Sequence, residues 1–136
     1  MYRLVYVSHA RSDLTDADIG NILDVSVNNN YERFITGFLV QAQGRFMQVL
    51  EGEEAEVKGI YSKIADDPRH DGVTQIVGER IKERAFPDWS MNYHRVDGPA
   101  GSTTMVVRRD EPIDSLMPAT TPRDLLYMFG KFITVL

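Results

Sequence analysis

Phe46-Met47-Gln48-Val49-Leu50-Glu51-Gly52-Glu53 has the alternation of a strand, with one residue out of keeping with an apolar interior. Phe46, Gln48 and Leu50 project to one face, and Met47, Val49 and Glu51 to the other. Gln48 thus shares its direction with two apolar neighbours and points inward. A buried carboxamide is costly unless its donors and acceptors are met. Something polar must meet it there: protein, water or a cofactor.

Working outward, Gln43-Gly44 reads as a tight turn joining this strand to a preceding one, Ile35 to Gln41, in a hairpin. Tyr2-Arg3-Leu4-Val5-Tyr6-Val7-Ser8 is a first strand, rich in β-branched and aromatic residues, with Tyr2, Leu4, Tyr6 and Ser8 on one face. Between them, Thr15 followed by Asp18 approximates a capping box, and Ile19, Ile22, Leu23 and Val25 continue an amphipathic helix toward Asn28-Asn29-Asn30. Glu53-Glu54-Ala55-Glu56 puts negative charge at a second helix start. Val57, Ile60, Tyr61 and Ile64 form its apolar face, and Asp66-Asp67-Pro68 stops it. Val73 to Glu79 is a fourth strand and Trp89 to His94 a fifth.

The order β-α-β-β-α-β predicts an α+β, ferredoxin-like sandwich, an antiparallel sheet with two helices on one face. Strands one and three are central neighbours in such a sheet, so Tyr6 and Gln48 are expected side by side under the helices. Residues 1–97 form this domain. Residues 98–136 are a connector and an extra C-terminal helix, with a short strand at Met105-Val106-Val107. Leu125, Leu126, Met128, Phe129, Phe132 and Ile133 make that helix apolar on more than one side. It either covers the sheet or meets another subunit.

Bulk properties narrow the function. A chain of 136 residues is one domain by size, able to bury roughly two-thirds of its unfolded surface. With 43% hydrophobic and 26% charged residues it is not globally disordered. A net charge of -5 argues against nonspecific binding to nucleic acid or anionic membrane. The absence of cysteine excludes disulfides and thiolate metal sites, and His9, His70 and His94 lack metal-binding spacing. No apolar run is long enough to span a bilayer and no signal peptide opens the chain, so a cytoplasmic protein is expected.

Each candidate residue has an ordinary reading beside the functional one. Tyr6 and Gln48 are core residues or a paired polar site. Asn28-Asn29-Asn30 suits a helix C-terminus, yet exceeds what a cap requires and offers amides to a ligand. Arg69 and His70 form a solvated loop or an anion contact. Trp89 and Met91, flanking Ser90, face one way on strand five, as core or as relay. No serine sits in a nucleophile motif, and no Gly-rich phosphate loop occurs. Strand three lacks the stacking aromatics of RNA-recognition modules.

Taken together, the pattern resembles the BLUF family, blue-light sensor domains that bind FAD, over about residues 2–96. The resemblance rests on Leu4-Val5-Tyr6-Val7-Ser8, Asn29-Asn30 seven residues before Gly37, Ile35-Thr36-Gly37, Phe46 to Gly52, Asp67-Pro68-Arg69-His70 and Phe86-Pro87-Asp88-Trp89-Ser90-Met91. It implies a flavin between the two helices, sandwiched by Ile22 and Ile64, with Asn30, beside Asn29, bonding its pyrimidine edge. Arg69 and His70 would lie toward the ribityl and phosphate side. Gln48 would bridge Tyr6 to the flavin edge, supplying the partner the strand pattern demands.

The resemblance further implies photoactivation rather than enzymatic turnover. Tyr6 would donate an electron and then a proton, Gln48 would rearrange by rotation or tautomerisation, and the flavin absorption would shift modestly to the red. Trp89 and Met91 would relay the change to the C-terminal segment, to be read by an unidentified downstream signalling protein, and the chain itself would form a homo-oligomer. Two readings compete: a light-independent flavin oxidoreductase and a cofactor-free interaction module.

Overall fold

A computed structural model describes residues 1–11, 13–15, 17, 18, 21, 33–42, 44–86, 92–96, 104–107 and 117–134, with backbone only at 42, 92–96, 104–107, 133 and 134. Its elements are β1 (Tyr2–Ala10), β2 (Thr36–Ala42), β3 (Arg45–Gly52), α1 (Glu54–Asp66), β4 (His70–Arg80), β5 (Asn92–Val96), β6 (Thr104–Val107) and α2 (Arg123–Thr134). The six strands form one sheet in the order β4-β1-β3-β2-β5-β6. The first four pair antiparallel as expected, with β1 and β3 adjacent at the centre.

The elements follow from local chemistry. The β2–β3 turn places Gly44 at φ 75, a left-handed conformation that glycine adopts without a Cβ clash. Thr15 and Asp18 form the reciprocal capping box: the Thr15 N–H donates to the Asp18 carboxylate at 2.9 Å, and the Asp18 N–H to Thr15 Oγ1 at 3.2 Å. These bonds hold the Asp18 carboxyl below the usual carboxylate range. Glu54 and Glu56 occupy the first turn of α1 and Lys63 the last, matching the helix dipole.

Three expectations are corrected. Strand four begins at His70 rather than Val73: irregularities in the β1–β4 register let pairing run on to Ala10 opposite His70. His70 therefore sits on a strand, not in a solvated loop. The sheet is also not wholly antiparallel, because β5 joins β2 in parallel and β6 joins β5 in parallel. Of the strand expected at Trp89 to His94, the portion from Asn92 onward is seen. Trp89 and Met91 lie outside the described residues.

Both faces of the central strands are covered, which is why β1 and β3 read as nearly unbroken apolar runs. On one face Leu4, Tyr6, Ile35, Leu39, Phe46 and Leu50 pack under Val57 and Ile60 of α1. On the other, Val5, Phe38, Val40, Met47 and Val49 pack with Phe86, Met117, Leu125, Phe129 and Phe132. Helix α2 thus lies on the face opposite α1. The second helix expected beside α1, and with it Ile22, Asn29 and Asn30, lies outside the described residues except at its start.

Candidate functional site

The site is built on the two central strands. Tyr6 stands directly opposite Gln48 in the β1–β3 ladder, and both side chains turn into the face beneath α1. They are 2% and 1% exposed, so neither can rely on bulk water for its hydrogen bonds. The Tyr6 hydroxyl donates to Gln48 Oε1. Burial, with a smaller contribution from Tyr61, pushes the Tyr6 phenol far above its ordinary pKa of 10.0. The phenol is therefore a fixed proton donor in the resting protein, and the carbonyl end of Gln48 is committed to it. The amide end of Gln48 carries only N–H donors, so the pair presents a donor to whatever lies next to it.

The surroundings are mostly apolar. Ile64 packs half-buried against the same cluster, one turn beyond Ile60 on α1. The Tyr61 ring lies 5.7 Å from the Tyr6 ring at a tilt of 55°. Two residues along β1 on the Tyr6 face, buried Ser8 places Oγ 3.0 Å from His70 Nδ1. The His70 ring lies 5.3 Å from that of Phe46. Desolvation lowers the His70 pKa below 6.5 against the weaker pull of Asp67, so the ring is neutral near pH 7.

Arg69 is engaged differently from its neighbour. Its guanidinium grips the Asp67 carboxylate, Nη2 to Oδ2 at 2.6 Å and Nε to Oδ1 at 3.0 Å, and its backbone N–H adds a bond to Oδ1 at 2.9 Å. The side-chain bond to Arg69 holds the Asp67 carboxyl below the usual range. Together these bonds fold residues 67–69 into a turn that delivers His70 to the start of β4.

Of the residues singled out from sequence, Tyr6, Gln48, Ile64 and His70 are thus gathered on one sheet face, with Arg69 beside them. Ile22, Asn29, Asn30, Trp89 and Met91 lie outside the described residues. Ser8 and Tyr61 belong to the same neighbourhood without having been singled out. The signal for Ser8 was its place in the Tyr2-Leu4-Tyr6-Ser8 alternation, which puts it on the Tyr6 face. Tyr61 was read only as part of a helix's apolar side. Among the described residues no group of carboxylates and imidazoles is arranged to hold a metal ion, and no helix is long and apolar enough to cross a membrane.

The BLUF family profile, described as sensors of blue-light using FAD, matches residues 1–92. The photoactivated adenylate cyclase subunit beta of Euglena gracilis is 34% identical over 89 residues, 65% of this chain and 10% of the cyclase subunit. The chain thus spans about a tenth of the length of that curated relative. Among solved structures, BlrB, a BLUF protein in its dark state, superposes with a TM-score of 0.65 at 34% identity, covering 69% of this chain and 71% of BlrB. BlsA in its ground state superposes with a TM-score of 0.70 at 25% identity, covering 99% of this chain and 88% of BlsA. With the profile spanning most of the chain and a buried tyrosine bonded to a buried glutamine at the centre of the matched sheet, the chain belongs to the BLUF family of blue-light sensors that use FAD.

Proposed function

We propose that this chain is a blue-light photoreceptor whose switch is the Tyr6–Gln48 hydrogen bond, and that it acts by altering contacts with a protein partner rather than by turning over a substrate. The observation that carries the reading is the pair itself: a phenol and a carboxamide, both buried, bonded across the two central strands. The donor set suits a flavin. With Gln48 Oε1 accepting from Tyr6, its Nε2 presents donors, as the nitrogen and carbonyl edge of an isoalloxazine ring requires. Ile64 and Ile22 would give apolar contact to the ring. Asn30 beside Asn29 would bond its polar edge, and His70 and Arg69 would lie toward the ribityl chain and phosphates.

Bound FAD supplies the blue-light absorption and, once excited, a strong electron acceptor. Everything else falls to the chain. Tyr6 would give up an electron and then the proton on Oη to the excited cofactor, and both would return to Tyr6 as the charges recombine, leaving no net oxidation. Burial opposes simple loss of that proton, since a phenolate in this setting is strongly disfavoured. Proton departure is therefore tied to oxidation, which confines the event to the illuminated state. Gln48 then exchanges the bond it accepts from Tyr6 for a new arrangement, by rotation or by tautomerisation. With flavin bound, this would change the hydrogen bond that Gln48 offers it, and the absorption would shift to the red. The signal passes through β5, with Trp89 and Met91 as relay, to a partner that distinguishes the two states.

The test is the absorption spectrum of the FAD-loaded protein before and after blue light, repeated for Tyr6→Phe and Gln48→Leu. The parent should shift reversibly to the red, and both variants should bind flavin and lose the normal shift. A bound flavin with no shift in the parent would favour a dark flavoprotein. A protein that never takes up flavin would return the pair to the core.

A further inference from the structure

Three residues beyond Gln48 on β3, and on the opposite face, stands a second buried polar group. The Glu51 carboxylate is 0% exposed. One oxygen, Oε2, accepts from Arg3 Nε and Nη2, each at 2.8 Å, and from the Ala85 N–H at 3.1 Å. The other, Oε1, accepts from the Phe86 N–H at 2.9 Å. Arg3 in turn reaches Glu79 of β4 at 2.9 Å. One carboxylate thus ties β1, β3 and, through Arg3, β4 to the short segment that follows β4.

That segment is also where helix α2 is fastened. The Ala85 carbonyl accepts from Thr120 Oγ1 at 3.0 Å, three residues before the helix begins. The buried Phe86 ring lies 6.0 Å from Phe38, and Phe38 meets Phe129 of α2 edge-on at 5.1 Å. Ala85-Phe86 therefore has its N–H groups on the switch strand, its carbonyl on the approach to α2 and its ring in the core beneath α2. A peptide segment with two N–H groups on one buried carboxylate follows the strand carrying that carboxylate, because leaving either group unmet in the interior is costly.

We infer that Glu51 is a positioning residue that couples the Gln48 strand to the seating of helix α2, through the backbone of Ala85-Phe86 and the hydroxyl of Thr120. The inference rests on the proposed reading of Gln48 as the photochemical switch. It adds a route to the C-terminal helix from the strand face that the flavin does not touch.

The experiment uses the full FAD-loaded chain and two readouts. One is the light-induced red shift. The other is the difference in amide hydrogen exchange over residues 117–134 between darkness and continuous blue light. Thr120→Val removes only the last bond of the chain at an exposed residue, Thr120→Ser keeps it, and Glu51→Gln removes the charge at the centre. Thr120→Val and Glu51→Gln should keep the full red shift while the light-dependent exchange difference falls by roughly threefold or more. Thr120→Ser should retain both. The inference is overturned if Thr120→Val keeps the parent's exchange difference, or if the parent shifts to the red with no such difference. Should Glu51→Gln fail to fold, Thr120→Val and Thr120→Ser decide alone. A parent without a red shift would instead overturn the photoreceptor reading, and this inference with it.

Discussion

Single residues in this fold are set by what burial does to their protons and bonds. Tyr6 is held protonated and Gln48 is oriented by it, so the two act as one unit. Burial of the His70 ring links its charge to folding. Its folded pKa lies below 6.5, so between that lowered value and 6.5 the unfolded chain binds more protons than the folded one. Stability should therefore rise with pH through this window, be complete above 6.5 and be lost as the pH falls toward the folded value. Urea midpoints measured across the interval should show that slope, and His70→Asn should flatten it. Phe34 presents the opposite case, an exposed residue under backbone strain. It has φ 55 and is 81% exposed, so its ring gains little for a left-handed conformation that costs a bulky side chain about 1 kcal/mol or more. Phe34→Asn should raise the unfolding free energy by about 1 kcal/mol, since asparagine tolerates this region and the bond from Arg84 to the Phe34 carbonyl survives.

Among elements, β3 matters most because its two faces carry different polar centres, Gln48 under α1 and Glu51 under the other layer. Removing a single partner from a buried ion pair leaves the other charge unmet. Glu51→Ala should therefore destabilise the fold by about 3–5 kcal/mol in chemical denaturation. Glu79→Ala, acting on the same Arg3 from a side chain 42% exposed, should cost less than about 1 kcal/mol. The side-by-side placement of Tyr6 and Gln48 was legible in sequence, because period-two alternation fixes each facing and the ferredoxin-like order makes their strands neighbours. The partners of Glu51 were not. Arg3, Ala85 and Phe86 lie 48, 34 and 35 residues away, and no local periodicity encodes such contacts. The early start of β4 has a related reason: β4 carries one residue more than β1 at each of two register shifts, the second between Thr74 and Asp71 where Gly72 takes φ 59, and strand alternation does not encode such bulges.

For the molecule as a whole, the sheet is a wall between two compartments. Tyr6 and Gln48 occupy one and α2 the other, so any influence of light on α2 must cross the sheet or go round its end. The apolar character of α2 was evident in sequence, but whether it faced the sheet or another subunit was not, since either surface satisfies the same side chains. In the structure Leu125, Phe129 and Phe132 face the sheet. Phe129, fully buried against Phe38, anchors the helix. Phe129→Ala should cost about 3–5 kcal/mol in thermal or chemical unfolding, while Tyr127→Ala, 67% exposed, should be near neutral. Because Phe129 lies across the sheet from the Tyr6–Gln48 pair, the smaller change Phe129→Leu should preserve the red shift expected of a photoreceptor. The central claim is that the Tyr6–Gln48 bond is the switch. Its most direct measurement is the light-minus-dark absorption spectrum of the FAD-loaded chain beside that of Gln48→Leu. A reversible red shift in the parent that is lost in a Gln48→Leu protein still holding flavin is the predicted result, and an unchanged shift in Gln48→Leu would contradict it.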